Sequence, residues 1–141
     1  MAIWSKLKFW RRAAKPIERE RGDLGERAAR KFLEKQGLKF LTANFACPGG
    51  ELDLVFRDGD SLVFVEVKTR ATGGWTRPSQ AVDDRKRRAL LRTANAYLRQ
   101  LDSKDIAYRF DVVEVLLQDG DVTEVRHNVN SFTSKMLRRK R

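Results

Sequence analysis

Residues 62–70 read LVFVEVKTR. Strand alternation puts Leu62, Phe64, Glu66 and Lys68 on one face and Val63, Val65 and Val67 on the other. Both faces are apolar through the first half, as in a central strand covered on both sides. A glutamate and a lysine then arrive together on one face at its end. A buried carboxylate is costly unless a cation accompanies it, so Glu66 demands a partner.

The preceding strand, residues 51–56 (ELDLVF), places Glu51, Asp53 and Val55 on one face. Asp58-Gly59 between the two strands is a strong hairpin signal. With these two as the turn, Arg57 pairs with Asp60 and Glu51 faces Glu66. Asp53 then faces Phe64, diagonal to Glu66 and within reach of it. A four-residue loop keeps this register, whereas a three-residue loop would send Asp53 and Glu66 to opposite faces. In the even register Glu51, Asp53, Glu66 and Lys68 converge. Three carboxylates beside one lysine call for a hard divalent cation held by oxygen. The single Cys47 and single His127 exclude the usual zinc sets, which leaves Mg²⁺ or Mn²⁺. Such an ion activates water and steadies a phosphodiester, with Lys68 serving the attacking water or the developing charge. The same residues also suit a surface ion-pair ladder worth little energy.

Further out, Leu24, Ala28, Ala29, Phe32 and Leu33 form a helical stripe over residues 24–36, closed by Gly37. An extended stretch follows at 40–43, then the breaker Pro48-Gly49-Gly50. A loop over 71–78, a helix over 79–101, a strand over 110–117 and a weaker strand over 122–129, turned by Asp119-Gly120, complete an α/β arrangement with helices covering the sheet. Glu26 is either a metal ligand or hydrogen-bond acceptor at the same pocket, or an acid favoured in a helix first turn. Lys86 shares a helix face with Val82, Ala89, Leu90, Thr93 and Tyr97. With Arg85, Arg87 and Arg88 it either grips phosphates or forms a solvated basic turn.

The chain has 141 residues, 41% apolar and 35% charged, which suits one domain. Its net charge of +11 resides wholly in residues 1–21 and 126–141, and the stretch between them is neutral. Basic ends attract any polyanion, whether DNA, RNA or an anionic membrane. The reading is a basic extension over 1–21, an α/β domain over 22–130 and a basic, disordered tail over 131–141. In the extension Ile3, Trp4, Leu7 and Trp10 are interleaved with lysine and arginine. They make either an amphipathic helix for a membrane, partner or nucleic acid, or a flexible tail packed on the domain. No apolar run reaches about 18 residues and no secretory h-region is present. With one cysteine, a reduced cytoplasmic setting fits.

The patterns GDLGERAA (22–29), Asn44-Phe45, GELDLV (50–55), VFVEVKTR (63–70), Lys86…Tyr97-Leu98 and RFDVV (109–113) resemble the YraN-like family of uncharacterised bacterial proteins. That family is similar to the restriction-endonuclease-like PD-(D/E)xK superfamily and to archaeal Holliday-junction resolvases. The resemblance implies a mixed central sheet flanked by helices and a metal-dependent endonuclease acting on DNA, with branched, Holliday-junction-like DNA as a candidate substrate. Asp53, Glu66 and Lys68 match its D…E-x-K triad, and Glu26 matches the helix-borne acid of resolvases. The Val67 carbonyl would assist the metal, Arg70 would join the nucleic-acid contacts, and resolvases act as homodimers. The competing reading is a non-catalytic nucleic-acid-binding or adaptor module on the same fold.

Overall fold

The computed structural model describes residues 20–71, 83–101 and 105–132. The expectations for most of the N-terminal extension, the 71–78 loop and the C-terminal tail fall outside them. The described elements are α1 (Glu20–Lys35), β1 (Lys39–Cys47), β2 (Gly50–Asp58), β3 (Ser61–Ala71), α2 (Asp84–Arg99), β4 (Tyr108–Gln118) and β5 (Asp121–Phe132). The strands form one sheet in the order β1-β2-β3-β4-β5. β3 and β4 are parallel, joined by the connection that carries α2, and every other neighbouring pair is antiparallel. The α/β class with a mixed, helix-flanked sheet is therefore as the sequence reads. The extended stretch at 40–43, however, is part of a full nine-residue strand, β1.

Local chemistry explains the boundaries. At the end of α1 the Gly37 N–H donates to Glu34 O at 3.0 Å and the Leu38 N–H to Leu33 O at 3.1 Å. Gly37 has φ +94°, so a left-handed glycine closes the helix with this paired bond pattern. α2 covers the described part of the helix expected over 79–101, whose residues 79–82 lie outside the described residues. Asp83 has an extended backbone and its carboxylate accepts the Lys86 N–H at 2.8 Å, which caps the helix there.

The sheet is covered on both faces. Leu62 and Phe64 of β3 join Phe45, Val55, Phe110 and Val112 under Leu90, Ala94 and Tyr97 of α2. Val63 and Val65 join Phe56, Val113 and Val115 under Ala29 and Leu33 of α1. By the same alternation Glu66 and Lys68 continue the α2 face.

The β2–β3 turn corrects the expected register. The pairs Asp58↔Ser61 and Leu54↔Val65 make Gly59 and Asp60 the turn residues. Gly59 alone of the two has a positive φ, +59°, the pattern of a turn with glycine in its first central position. In the β4–β5 hairpin Asp119 and Gly120 both have positive φ and occupy the turn as expected. Moving the first turn by one residue shifts the pairing by two and preserves the faces. Continued one step past Leu54↔Val65, this register sets Asp53 directly opposite Glu66, where Phe64 was expected.

β5 is fastened to β4 by a buried carboxylate that sequence reading left unnoticed. Asp111, 0% exposed, accepts from Arg109 Nε at 3.1 Å and from the Asn130 N–H at 2.8 Å, and bonds His127 Nε2 at 2.8 Å. Arg109 also donates to Asp58 at 2.9 Å, tying in the β2–β3 turn. Burial raises the Asp111 pKa, but His127, the Asn130 N–H and Arg109 outweigh it and hold the group below its ordinary value. A depressed native pKa stabilises the fold above the unfolded pKa, near 4, and that stability fades as pH falls through the native pKa. Asp111→Asn is expected to cost about 2–4 kcal/mol at pH 7. Thermal melts between pH 7 and 3 should find the deficit narrowing in acid; a deficit constant with pH would contradict this.

Candidate active site

The site forms where the sheet forks. β3 pairs with β4 along its whole length, from Leu62↔Tyr108 to Ala71↔Leu117. Its pairing with β2 stops at Leu54↔Val65, while β2 continues with β1 as far as Cys47↔Gly50. The sheet thus divides into a β1–β2 wing and a β3–β4–β5 wing, with Asp53 and Glu66 at the throat. Two features mark the bend. Leu52 and Leu54, two residues apart on β2, pack into opposite core layers. Asn44, which the β1–β2 register sets opposite Asp53, has φ +55°.

At the throat a side chain takes the place of the missing ladder bond. The Val67 N–H donates to Asp53 Oδ2 at 2.8 Å. That bond fixes the carboxylate beside Glu66, which is 5% exposed. Glu66 Oε1 lies 3.5 Å from Lys68 Nζ and 3.6 Å from Lys86 Nζ. Glu66 Oε2 is buried and has no hydrogen-bond partner. Burial pushes the Asp53 pKa well above the ordinary carboxylate value. The charges of Glu66 and Glu26 push the same way, against the Val67 N–H.

Glu26 reaches this neighbourhood because α1 approaches β3 closely at Gly25. A Cβ at Gly25 would collide with Thr69 Oγ1, so only glycine lets the helix lie against the strand. Of the two supporting acids expected from sequence, Glu26 is the one whose charge bears on Asp53. Glu51 pairs with Ala46 in the β1–β2 wing and is not among the charges that shift Asp53. The corrected register brings Asp53, rather than Glu51, opposite Glu66. Among the described residues, no three His, Cys, Asp or Glu side chains close on one metal position.

The remaining expected residues separate into two groups. Lys86 points at Glu66, as its helix face predicts. Arg85 and Arg88 are exposed, Arg87 lies 3.6 Å from Asp84 Oδ1, and Arg70 is half-buried near the end of β3. Sequence reading missed Glu114, which is 1% exposed and stands in register with Lys68 on the neighbouring strand. An acid inside the apolar run FDVVEVLL was the available signal. Beside the fork a recess of about 780 Å³ is lined by Glu26, Arg27, Arg30, Asn44 and Leu54 among others.

A mixed sheet between two helices, with an aspartate and a Glu-x-Lys pair at its fork, is consistent with a restriction-endonuclease-like domain. Residues 25–115 match Uncharacterised protein family UPF0102, and the chain belongs to that family. A UPF0102 protein of Pelobacter propionicus is 44% identical over 121 residues, 84% of this chain and 86% of the relative. Those of Caldicellulosiruptor saccharolyticus and Myxococcus xanthus are each 40% identical, covering 82% and 89% of this chain and 98% and 99% of theirs. The YraN-like resemblance read from the motifs is this same family.

The raised Asp53 pKa carries a stability consequence. Without a divalent cation, the native state holds its proton more tightly than the unfolded chain does. The associated stability is present at low pH and is lost as pH rises through the elevated native pKa. Asp53→Asn can still accept from the Val67 N–H without carrying a charge. In EDTA at pH 8 its melting temperature should exceed wild type by a few degrees, the gap closing toward pH 4. An equal or lower melting temperature at pH 8 would mean that Asp53 is not under electrostatic stress.

Proposed function

We propose that the protein is a metal-dependent endonuclease that hydrolyses phosphodiester bonds in DNA, with branched DNA as the substrate class implied by the resolvase resemblance. The observation that carries this reading is two adjacent carboxylates, Asp53 and Glu66, set in the throat of the fork with Lys68 beside them. A surface ion-pair ladder would not place a glutamate only 5% exposed, its Oε2 buried, next to a second acid. An oxygen-seeking divalent ion fits that donor set. Mg²⁺ or Mn²⁺ would be held by Asp53 and Glu66 with the Val67 carbonyl. Glu26 stands close enough to add charge, and water and phosphate oxygens would supply the remaining ligands that Mg²⁺ prefers.

When bound, the ion lowers the pKa of water and offsets charge on the phosphate. The chain's own residues do the rest. Asp53 is held beside Glu66 by the Val67 N–H that its Oδ2 accepts. Lys68 offers an ammonium beside Glu66, placed to orient the attacking water and to balance charge developing on the phosphate. Arg70, Arg85, Arg87, Arg88 and Lys86 supply cations for flanking phosphates. A pair of copies would cut the two strands of a symmetric junction. The absence of a third converging acid among the described residues favours a second reading, a binding module that needs no metal.

Linear duplex, single-stranded, flap and four-way-junction DNA incubated with Mg²⁺, Mn²⁺ or EDTA distinguishes the two. Cleavage that requires the metal and falls at least about 100-fold in Asp53→Asn, Glu66→Gln and Lys68→Ala is the expected result. DNA binding indifferent to EDTA and to all three substitutions, with no cleavage, would leave the binding module.

A further inference from the structure

Lys86 stands outside the Asp53, Glu66 and Lys68 set, yet its ammonium is 3.6 Å from Glu66 Oε1, almost the same as the 3.5 Å of Lys68. Both cations sit on one oxygen, and the other oxygen is buried without a donor. For a lysine the position is otherwise poor. It is the third residue of α2, at the positive end of the helix dipole, with Arg85 and Arg87 on either side. The capping Asp83 and the first-turn Asp84 offset part of that cost. Glu66 is the carboxylate that the side chain itself faces.

The two lysines are held differently. The Lys68 side chain is 28% exposed and rises from the sheet, whereas that of Lys86 is 43% exposed and reaches in from the helix on a flexible stem. In the metal-free site two ammonium groups answer the charge of Glu66. A divalent ion at these carboxylates brings two more positive charges into the same space and repels both lysines. The more exposed one is free to leave.

We propose that Lys86 is an exchangeable counter-ion: it neutralises Glu66 while the metal is absent, and turns to the incoming DNA phosphate when the ion binds. This rests on the metal-dependent reading above and adds a helix-borne positioning residue to it. It explains why a lysine is placed in a helix first turn facing an acid that another lysine already serves. It also keeps the resting site free of an uncompensated buried charge without closing Oε2 to a metal.

The test is an Mn²⁺ titration by calorimetry, with DNA binding measured by fluorescence anisotropy in Ca²⁺. Both are run on wild type, Lys86→Gln, Lys86→Arg and Asp53→Asn. Lys86→Gln keeps most of the stem and loses the charge. Its Mn²⁺ affinity should rise roughly five- to tenfold, from removal of one competing cation at partly exposed range, while its DNA affinity falls by a similar factor. Lys86→Arg should stay near wild type in both. Mn²⁺ affinity unchanged or weakened in Lys86→Gln overturns the exchange, as does DNA affinity unchanged. If wild type still binds Mn²⁺ and Asp53→Asn does not, the nuclease reading survives that failure. No Mn²⁺ binding by wild type overturns both.

Discussion

One hydrogen bond, from the Val67 N–H to Asp53 Oδ2 at 2.8 Å, holds the fork on which the site depends. Where β2 and β3 part, backbone donors lose their partners, and a buried unpaired N–H would be costly. Asp53 accepts one of them with its side chain. The sheet can therefore split without an orphaned amide there, and a carboxylate is fixed at the opening. The kink at Asn44 and the reversal between Leu52 and Leu54 turn the β1–β2 wing away. β3 continues alone with β4, carrying Glu66 and Lys68 into the gap.

The electrostatics follow from that placement. Two acids meet where water is scarce, and the charge of Glu66 disfavours that of Asp53. The fold tolerates this through Lys68 and Lys86 on one oxygen of Glu66, and through the elevated pKa of Asp53. Asp111 makes a useful contrast. It is fully buried but surrounded by donors from Arg109, His127 and Asn130, and its pKa is depressed. A carboxylate satisfied on all sides fastens strands together. One left short of donors is kept at a cost in stability, which is common where function needs it.

Much of this was legible in residues 51–70. The alternation of LVFVEVKTR gave a central strand with Glu66 and Lys68 on one face, and an even hairpin put Asp53 on that face. The exact partner was not legible, because Asp58-Gly59-Asp60 offers two adjacent turns and only backbone conformation selects Gly59-Asp60. The influence of Glu26 on Asp53 was not legible for a related reason. Register alone favoured Glu51, whereas the fork and the close contact of Gly25 with Thr69 bring Glu26 into play, and neither is a local pattern. The first strand was read short because Asn44 breaks its periodicity. Asp111 and Glu114 were passed over as polar interruptions in an apolar run, since their surroundings come from strands far apart in sequence. The family match places the chain in UPF0102 and leaves the chemistry to the site.

The most direct test of the central claim is anomalous diffraction from crystals grown with Mn²⁺, collected at the manganese edge. The account predicts a peak within coordination distance of the Asp53 carboxylate and Glu66 Oε2, at the throat of the fork. Full-occupancy manganese elsewhere on the chain, with the throat empty and both lysines still on Glu66, would contradict it.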